Sequence, residues 1–139
     1  RISPVVDAIA TDLSLFHDSG GKIIYWTGWS DLALTPLGTI DYFEQLQASD
    51  SAARDYSRLY MLPGVLHCAG GPGPDQVDWV EAIRAWVEDG DAPERLTASK
   101  LDSSGQTTVA RPVCPYPEFA VYDGTGDPAV ESSFSCSVW

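Results

Sequence analysis

The 139-residue sequence contains no asparagine, only two histidines and only eight basic residues. Without asparagine the chain has no N-glycosylation acceptor. Twenty acidic residues outnumber the basic ones, which gives a formal net charge of −12, and lysine and arginine form no cluster. Because nucleic acids and anionic membrane surfaces attract positive charge, we expect neither as a partner. No apolar run approaches the ~18 residues that a membrane-spanning helix requires.

Further absences narrow the chemistry. The two histidines, His17 and His67, lie far apart and no Cys-x-x-Cys spacing occurs, so no metal site is expected. No Gly-x-Ser-x-Gly sequence occurs, so the usual nucleophile motif of an α/β-hydrolase is missing. The glycine- and proline-rich run at 70–74 has neither a lysine nor a helix-opening pattern, which excludes a phosphate-binding loop.

What is present is a pair of predicted strands, each followed by a residue suited to acid–base chemistry. The strand over 22–27 precedes Asp31, and the strand over 56–62 precedes His67. Apolar spacing predicts helices over 4–16, 38–48 and 76–90. In open α/β sheets the functional residues lie beyond the carboxyl ends of the strands. We therefore expect Asp31 and His67 at one rim of a parallel sheet.

Asp31 and His67 have the types and the spacing of a catalytic pair. A neutral imidazole can take a proton from a serine and return it to the leaving alkoxide, while a carboxylate fixes the imidazole tautomer. The order strand–Asp–helix–strand–His matches the second half of a Ser…Asp…His hydrolase. Two structural interpretations stay open: Asp31 as a turn or helix cap, and His67 as a loop residue without a role. Asp41 is the nearest rival carboxylate, and His17 is expected to be exposed to solvent.

The C-terminal third is predicted to form a β-hairpin, 96–101 with 107–110, followed by an extended tail. Cys114 and Cys136 flank this tail, and a disulfide between them would stabilise the chain by about 3 kcal/mol in the chain-entropy model. Cys68 is then left over, which indicates an intermolecular disulfide or a reactive thiol. A buried free thiol is the alternative.

Several motifs extend from about residue 12 to the C-terminus. They are GGKII at 20–24, GWSD at 28–31, GTIDYFE at 38–44, MLPG at 61–64, HC at 67–68 with its GGPGP tail, and RPVCPYP at 111–117. In this combination the chain resembles the C-terminal portion of the tannase and feruloyl esterase family, beginning where the family's lid domain ends. One departure is Thr27, which stands where the family's usual His-Gly pair has histidine.

The resemblance implies that residues 1–139 are the C-terminal segment of an α/β-hydrolase catalytic domain, with parallel strands and flanking helices before the hairpin and the disulfide-pinned tail. It implies a secreted serine carboxylesterase that hydrolyses phenolic acid esters, such as feruloyl or galloyl esters. Asp31 and His67 would be its triad acid and base. In the family, the cysteine after the catalytic histidine is bridged to one beside the nucleophile, so the implied partner of Cys68 lies on the serine-bearing segment.

The remaining parts of such an enzyme are expected outside this sequence. These parts are the serine nucleophile, the lid with its possible calcium ion, and any secretory signal, since Arg1-Ile2-Ser3-Pro4 has no apolar core segment. No cofactor is expected in this chain, and the chain alone is expected to be inactive. We interpret it as one part of a disulfide-linked two-chain enzyme, or as a fragment. Trp29, Leu32 and Leu34, beside Asp31, are candidates for binding the substrate.

Two alternative hypotheses remain. The chain could be a non-catalytic secreted binding or structural fragment stabilised by disulfides. Its fold could also be a small stand-alone α+β domain, because two parallel strands by themselves would leave open sheet edges.

Overall fold

The computed structural model describes residues 8–138. In chain order its elements are α1 (Ser14–Asp18), β1 (Ile23–Gly28), α2 (Pro36–Ser49), α3 (Ala53–Tyr56), β2 (Ser57–Leu62), α4 (Trp79–Glu88), β3 (Leu96–Leu101), β4 (Thr107–Val113), β5 (Phe119–Tyr122), a 3-10 turn (Glu131–Ser133) and β6 (Phe134–Ser137). Between residues 8 and 138 the strands form three two-stranded sheets. Within the described range, no helix is long and apolar enough to cross a membrane.

The first sheet confirms the two predicted strands and their direction. β1 and β2 are parallel, with Ile23 opposite Ser57 and Gly28 opposite Leu62. Parallel neighbours require a crossover connection, which α2 and α3 supply here. Because the strands run in the same direction, their carboxyl ends meet at one edge. The segments that carry Asp31 and His67 both leave the sheet there.

Two predicted helices are shorter than their apolar pattern indicated. The predicted helix 76–90 is observed as α4, because the Asp78 side chain accepts a 2.9 Å hydrogen bond from the Glu81 N–H and caps the helix there. The prediction of a helix over 4–16 is wrong for residues 8–13, and its first residues lie outside the described range. Asp12 accepts hydrogen bonds from the backbone and hydroxyl of Ser14, so α1 begins only after this turn.

The C-terminal region contains two hairpins. β3 and β4 pair in antiparallel fashion, as predicted. The tail is not merely extended, because β5 pairs with β6 over four residues. The disulfide Cys114–Cys136 links β6 to the residue after β4, with Cα atoms 5.7 Å apart. The predicted disulfide is therefore confirmed, and the tail is an ordered antiparallel ribbon.

The main core joins the parallel sheet to the hairpin of β3 and β4. Its buried members come from β2, β3, β4 and the segment after β2: Tyr60, Leu62, Val65, Ala98 and Val113. Trp26 of β1 packs against this cluster and stacks on Trp79 of α4, with ring centroids 5.5 Å apart. Val65 is fully buried two residues before His67. The segment carrying the histidine is thus anchored directly in the core.

Candidate functional site: an aspartate–histidine pair

The segments after β1 and β2 are joined by backbone hydrogen bonds. The Trp29 N–H donates to the Leu62 carbonyl at 2.9 Å, and the Ser30 N–H donates to the Val65 carbonyl at 3.0 Å. Gly28 makes this approach possible, because a Cβ at this position would lie 2.2 Å from the Val65 carbonyl oxygen. The two loops are therefore held together, and one carries Asp31 while the other carries His67.

Asp31 is a nearly buried carboxylate that accepts three hydrogen bonds. Its side chain is only 5% exposed. Oδ1 accepts from the backbone N–H groups of Ala33 at 2.7 Å and Leu34 at 2.9 Å, and Oδ2 lies 2.8 Å from Nδ1 of His67. The Leu34 N–H, followed by His67, lowers the pKa of Asp31 below its usual value. Asp31 is therefore held in its ionised form.

His67 has one ring nitrogen bound and the other available. An ionised carboxylate can only accept, so Nδ1 carries the hydrogen and donates it to Asp31. In the neutral ring Nε2 is then an acceptor. No residue in the range 8–138 forms a hydrogen bond with it. The His67 side chain is 51% exposed, whereas that of Asp31 is nearly buried. This arrangement presents a basic nitrogen to solvent, and the hydrogen bond to Asp31 fixes the tautomer of the ring.

The loop around His67 owes its shape to glycine. Gly64, Gly70 and Gly71 have φ between 74° and 89°, values that side-chain-bearing residues rarely adopt. The two limbs of the loop are tied by hydrogen bonds from Leu66 N–H to the Gly70 carbonyl and from Gly73 N–H to the Gly64 carbonyl. The tip between them, residues 67–69, consequently projects away from the core.

Cys68 also lies at this tip. It has a φ of 62°, the only positive value found for a non-glycine residue among the described residues. Its side chain is exposed and unpaired in this chain. The interpretation of Cys68 as a buried thiol is therefore wrong.

The three candidate substrate-binding residues do not share one surface. Trp29 lines an apolar cleft together with residues of α2, β2 and β5, among them Leu37, Ile40, Met61 and Phe119. The side chains of Leu32 and Leu34 are 93% and 64% exposed and do not line this cleft. Their role in substrate binding stays a prediction.

The two other candidate residues, Asp41 and His17, make contacts away from the Asp31–His67 pair. Asp41 accepts a 2.7 Å hydrogen bond from Gln45 within α2. His17, expected to be exposed, is partly buried because its ring stacks on Tyr56, with centroids 4.7 Å apart. Neither residue is bonded to the Asp31–His67 pair.

Sequence reasoning missed two residues that hold the His67 loop, Asp75 and Lys100. Asp75 accepts a 2.7 Å hydrogen bond from the Gly70 N–H, and Lys100 donates to the Gly71 carbonyl at 2.9 Å. A signal was present in each case: an acidic residue directly after the Gly/Pro run, and a lone lysine within a strand. Their contact could not be read from the sequence, because it depends on how β3 packs against the loop.

A parallel strand pair with an Asp–His pair at its carboxyl edge is the arrangement of the acid–histidine part of an α/β-hydrolase. The chain belongs to the tannase and feruloyl esterase family, whose model, described as "Tannase and feruloyl esterase", matches residues 1–137.

Solved structures of this family share the fold. Feruloyl esterase B from Aspergillus oryzae matches with a TM-score of 0.85 and 25% identity, over 92% of this chain and 29% of that one. Tannin acyl hydrolase from Aspergillus niger matches with a TM-score of 0.73 and 26% identity, over 93% of this chain and 25% of that one. The fold is therefore that of part of an α/β-hydrolase.

Two sequence relatives are similar over almost the whole chain. Mono(2-hydroxyethyl) terephthalate hydrolase of Piscinibacter sakaiensis is 44% identical over 94% of this chain and 22% of its own length. A probable feruloyl esterase of Arthroderma benhamiae is 38% identical over 91% of this chain and 24% of its own length. The relatives are carboxylic ester hydrolases, and the chain spans about a quarter of their length.

Proposed function

We propose that this chain supplies the acid and the base of a serine carboxylesterase. The observation that carries the proposal is the 2.8 Å contact between Asp31 Oδ2 and His67 Nδ1, with Nε2 left unbonded by the described residues. The family membership supports ester hydrolysis as the reaction. Residues 1–139 would then correspond to the C-terminal segment of the catalytic domain.

In the proposed reaction Nε2 of His67 takes the proton from a serine hydroxyl while the serine oxygen attacks the ester carbonyl. The imidazolium then gives this proton to the alkoxide that leaves, and an acyl-enzyme remains. Water repeats the sequence in the second half: His67 takes its proton, the hydroxyl attacks the acyl carbon, and the serine recovers its proton. Asp31 stays ionised throughout and stabilises the imidazolium.

The serine nucleophile of this proposal lies on a segment outside the 139 residues. Cys68, exposed and adjacent to His67, would form a disulfide with that segment and so tether the nucleophile to the base. The chain without its partner segment would be inactive. The disulfide Cys114–Cys136 is typical of extracellular proteins, which supports secretion.

The proposed substrates are esters of phenolic acids, feruloyl or galloyl esters. The names of the similar proteins, feruloyl esterase and tannase, support this class. A second candidate is an ester of terephthalic acid, favoured by the 44% identity to the hydrolase of mono(2-hydroxyethyl) terephthalate. Hydrolysis of methyl ferulate, methyl gallate and mono(2-hydroxyethyl) terephthalate, compared by kcat/KM, distinguishes these substrates.

A fluorophosphonate tests the proposal, because the serine of such an enzyme attacks its phosphorus and expels fluoride. In the complete enzyme, we expect the labelled serine to lie outside these 139 residues, on a peptide that is disulfide-linked to Cys68 before reduction. His67→Ala should suppress labelling, whereas the matched variant His17→Ala should label normally. Labelling that is independent of His67, or a labelled serine within this chain, would contradict the proposal.

A further inference from the structure

The glycine-rich loop after His67 is held from outside by an ion pair. Lys100 Nζ donates to the Gly71 carbonyl at 2.9 Å and lies 3.3 Å from Oδ1 of Asp75. The other carboxylate oxygen of Asp75 accepts the Gly70 N–H at 2.7 Å. Backbone groups of two successive residues of the loop are thus bound by one lysine and one aspartate that also bind each other.

The position of this ion pair is itself fixed by backbone bonds. Ser99 on β3 exchanges hydrogen bonds with Gln76 at 2.8 and 3.0 Å, and its carbonyl also accepts from the Asp75 N–H. This bridge brings Asp75 beside Lys100 on the same strand. The side chains are partly buried, 11% exposed for Asp75 and 28% for Lys100. The ion pairs of Arg84 on α4, in contrast, have partners that are more than half exposed.

The bound peptides lead directly to the histidine. Gly70 donates its N–H to Asp75, and its carbonyl accepts from the N–H of Leu66, the residue before His67. On the opposite side, the Val65 carbonyl is bound to Ser30, next to Asp31. The residues before His67 are therefore bonded to the Asp31 segment. The residues after His67 are bonded to Asp75 and to Lys100 on β3. Glycines at 70 and 71 have the greatest conformational freedom of any residue. The bonds to Asp75 and Lys100 therefore add a restraint to the hydrogen bonds within the loop.

We propose that Lys100 and Asp75 are positioning residues for His67: by binding Gly70 and Gly71 they keep the imidazole on Asp31 with Nε2 directed outward. This role rests on the proposed function of His67, but the restraint on the loop exists independently of any reaction. Loss of the restraint should misplace the imidazole, and it should leave the groups that bind the substrate unchanged. Misplacement by about 1 Å costs roughly 100-fold in rate, so we expect a loss of roughly 10- to 100-fold in kcat with little change in KM.

The test compares Lys100→Met with Lys22→Met in the complete enzyme. Lys22 is the matched control, since it is the only other lysine and also donates to a backbone carbonyl, that of Asp55 at 2.8 Å. Lys100→Arg restores a cation with several donors and should recover most of the lost kcat. Asp75→Asn, which keeps an acceptor for Gly70 but loses the ion pair, provides a milder variant should Lys100→Met fold poorly.

Amide hydrogen exchange reports on the restraint, and kinetics report on its consequence. In Lys100→Met and Asp75→Asn, a peptide covering 64–73 should exchange faster, while a peptide covering β1 is unchanged. The kcat, normalised to sites titrated with a fluorophosphonate, should fall, because each folded site is slower rather than fewer sites being folded.

Each other outcome overturns a definite statement. Unchanged exchange in 64–73 refutes the restraint, whether or not the enzyme is active. Faster exchange with unchanged kcat per titrated site refutes the positioning role. An inactive wild type, or one unaffected by His67→Ala, refutes the proposed function and with it the role in positioning a catalytic base, while the exchange data still decide whether the restraint exists.

Discussion

Replacing Asp31 by asparagine perturbs one of its three hydrogen bonds and leaves the others in place. The side-chain carbonyl of the introduced asparagine can still accept from the N–H groups of Ala33 and Leu34, as Oδ1 does now. The amide nitrogen then replaces Oδ2, 2.8 Å from the imidazole. Because this nitrogen only donates, Nδ1 of His67 must become the acceptor, and the ring hydrogen moves to Nε2.

The expected effect follows from the wrong tautomer. A protonated Nε2 cannot take the hydroxyl proton of the serine, although the geometry of the loop is unchanged. The corresponding substitution in a serine protease, which also keeps the geometry, lowers kcat by about 10⁴-fold. We expect a loss of the same order here, with KM little changed because Asp31 does not contact substrate in the proposed reaction.

The assay is steady-state hydrolysis of methyl ferulate by the complete enzyme, with Asp41→Asn as the matched control on α2. Thermal unfolding checks that Asp31→Asn remains folded. The wrong tautomer should lower kcat by about 10⁴-fold. A folded Asp31→Asn enzyme whose kcat is within about tenfold of wild type would therefore refute the assignment of Asp31. Equal losses of kcat in both variants would show that the overall negative charge of the chain matters, and not this particular carboxylate.

The remaining predictions concern the scaffold. Cys136→Ser opens a disulfide that closes a loop of 22 residues and should reduce the free energy of unfolding by about 3 kcal/mol; an unchanged urea midpoint would contradict this. Burial, together with a 2.8 Å bond to Asp50, raises the pKa of Tyr56 to about 12. Since the unfolded tyrosine ionises near pH 10 and the folded one later, stability present below pH ~10 is lost as pH rises towards 12. Tyr56→Phe lacks this loss, so its stability deficit should shrink over that range; a constant deficit would refute the coupling. Gly28→Ala adds a Cβ that would lie 2.2 Å from a carbonyl oxygen of the His67 loop and should lower kcat roughly 100-fold; wild-type kcat would show that the loops need not stay in contact.

The parallel strands, the connecting helix and the position of the Asp–His pair could be predicted because each rests on a local signal. Apolar strands ending in Gly28 and Leu62 identify the carboxyl edge, and the polar residues that follow identify the rim. Of the three hydrogen-bond partners of Asp31, only His67 could be anticipated from the sequence. The backbone donors at Ala33 and Leu34 depend on the turn that the loop adopts.

The features that escaped prediction depend on contacts between distant segments. The pairing of β5 with β6 brings together two four-residue strands with little periodic pattern, and the disulfide links β6 to the residue after β4. The binding of Gly71 by Lys100 joins residues 29 positions apart through a bridge between Gln76 and Ser99. No local pattern encodes such a contact, because it is set by how the hairpin packs on the loop.

The most direct test is the hydrolysis of methyl ferulate, methyl gallate and mono(2-hydroxyethyl) terephthalate by wild type, His67→Ala and His17→Ala in the complete enzyme. If His67 is the base of a serine esterase, His67→Ala lowers kcat at least about 10³-fold on whichever ester is hydrolysed, and His17→Ala does not. Wild-type rates in folded His67→Ala, or no hydrolysis of any ester by wild type, would contradict the proposal that this chain carries the acid and base of an esterase.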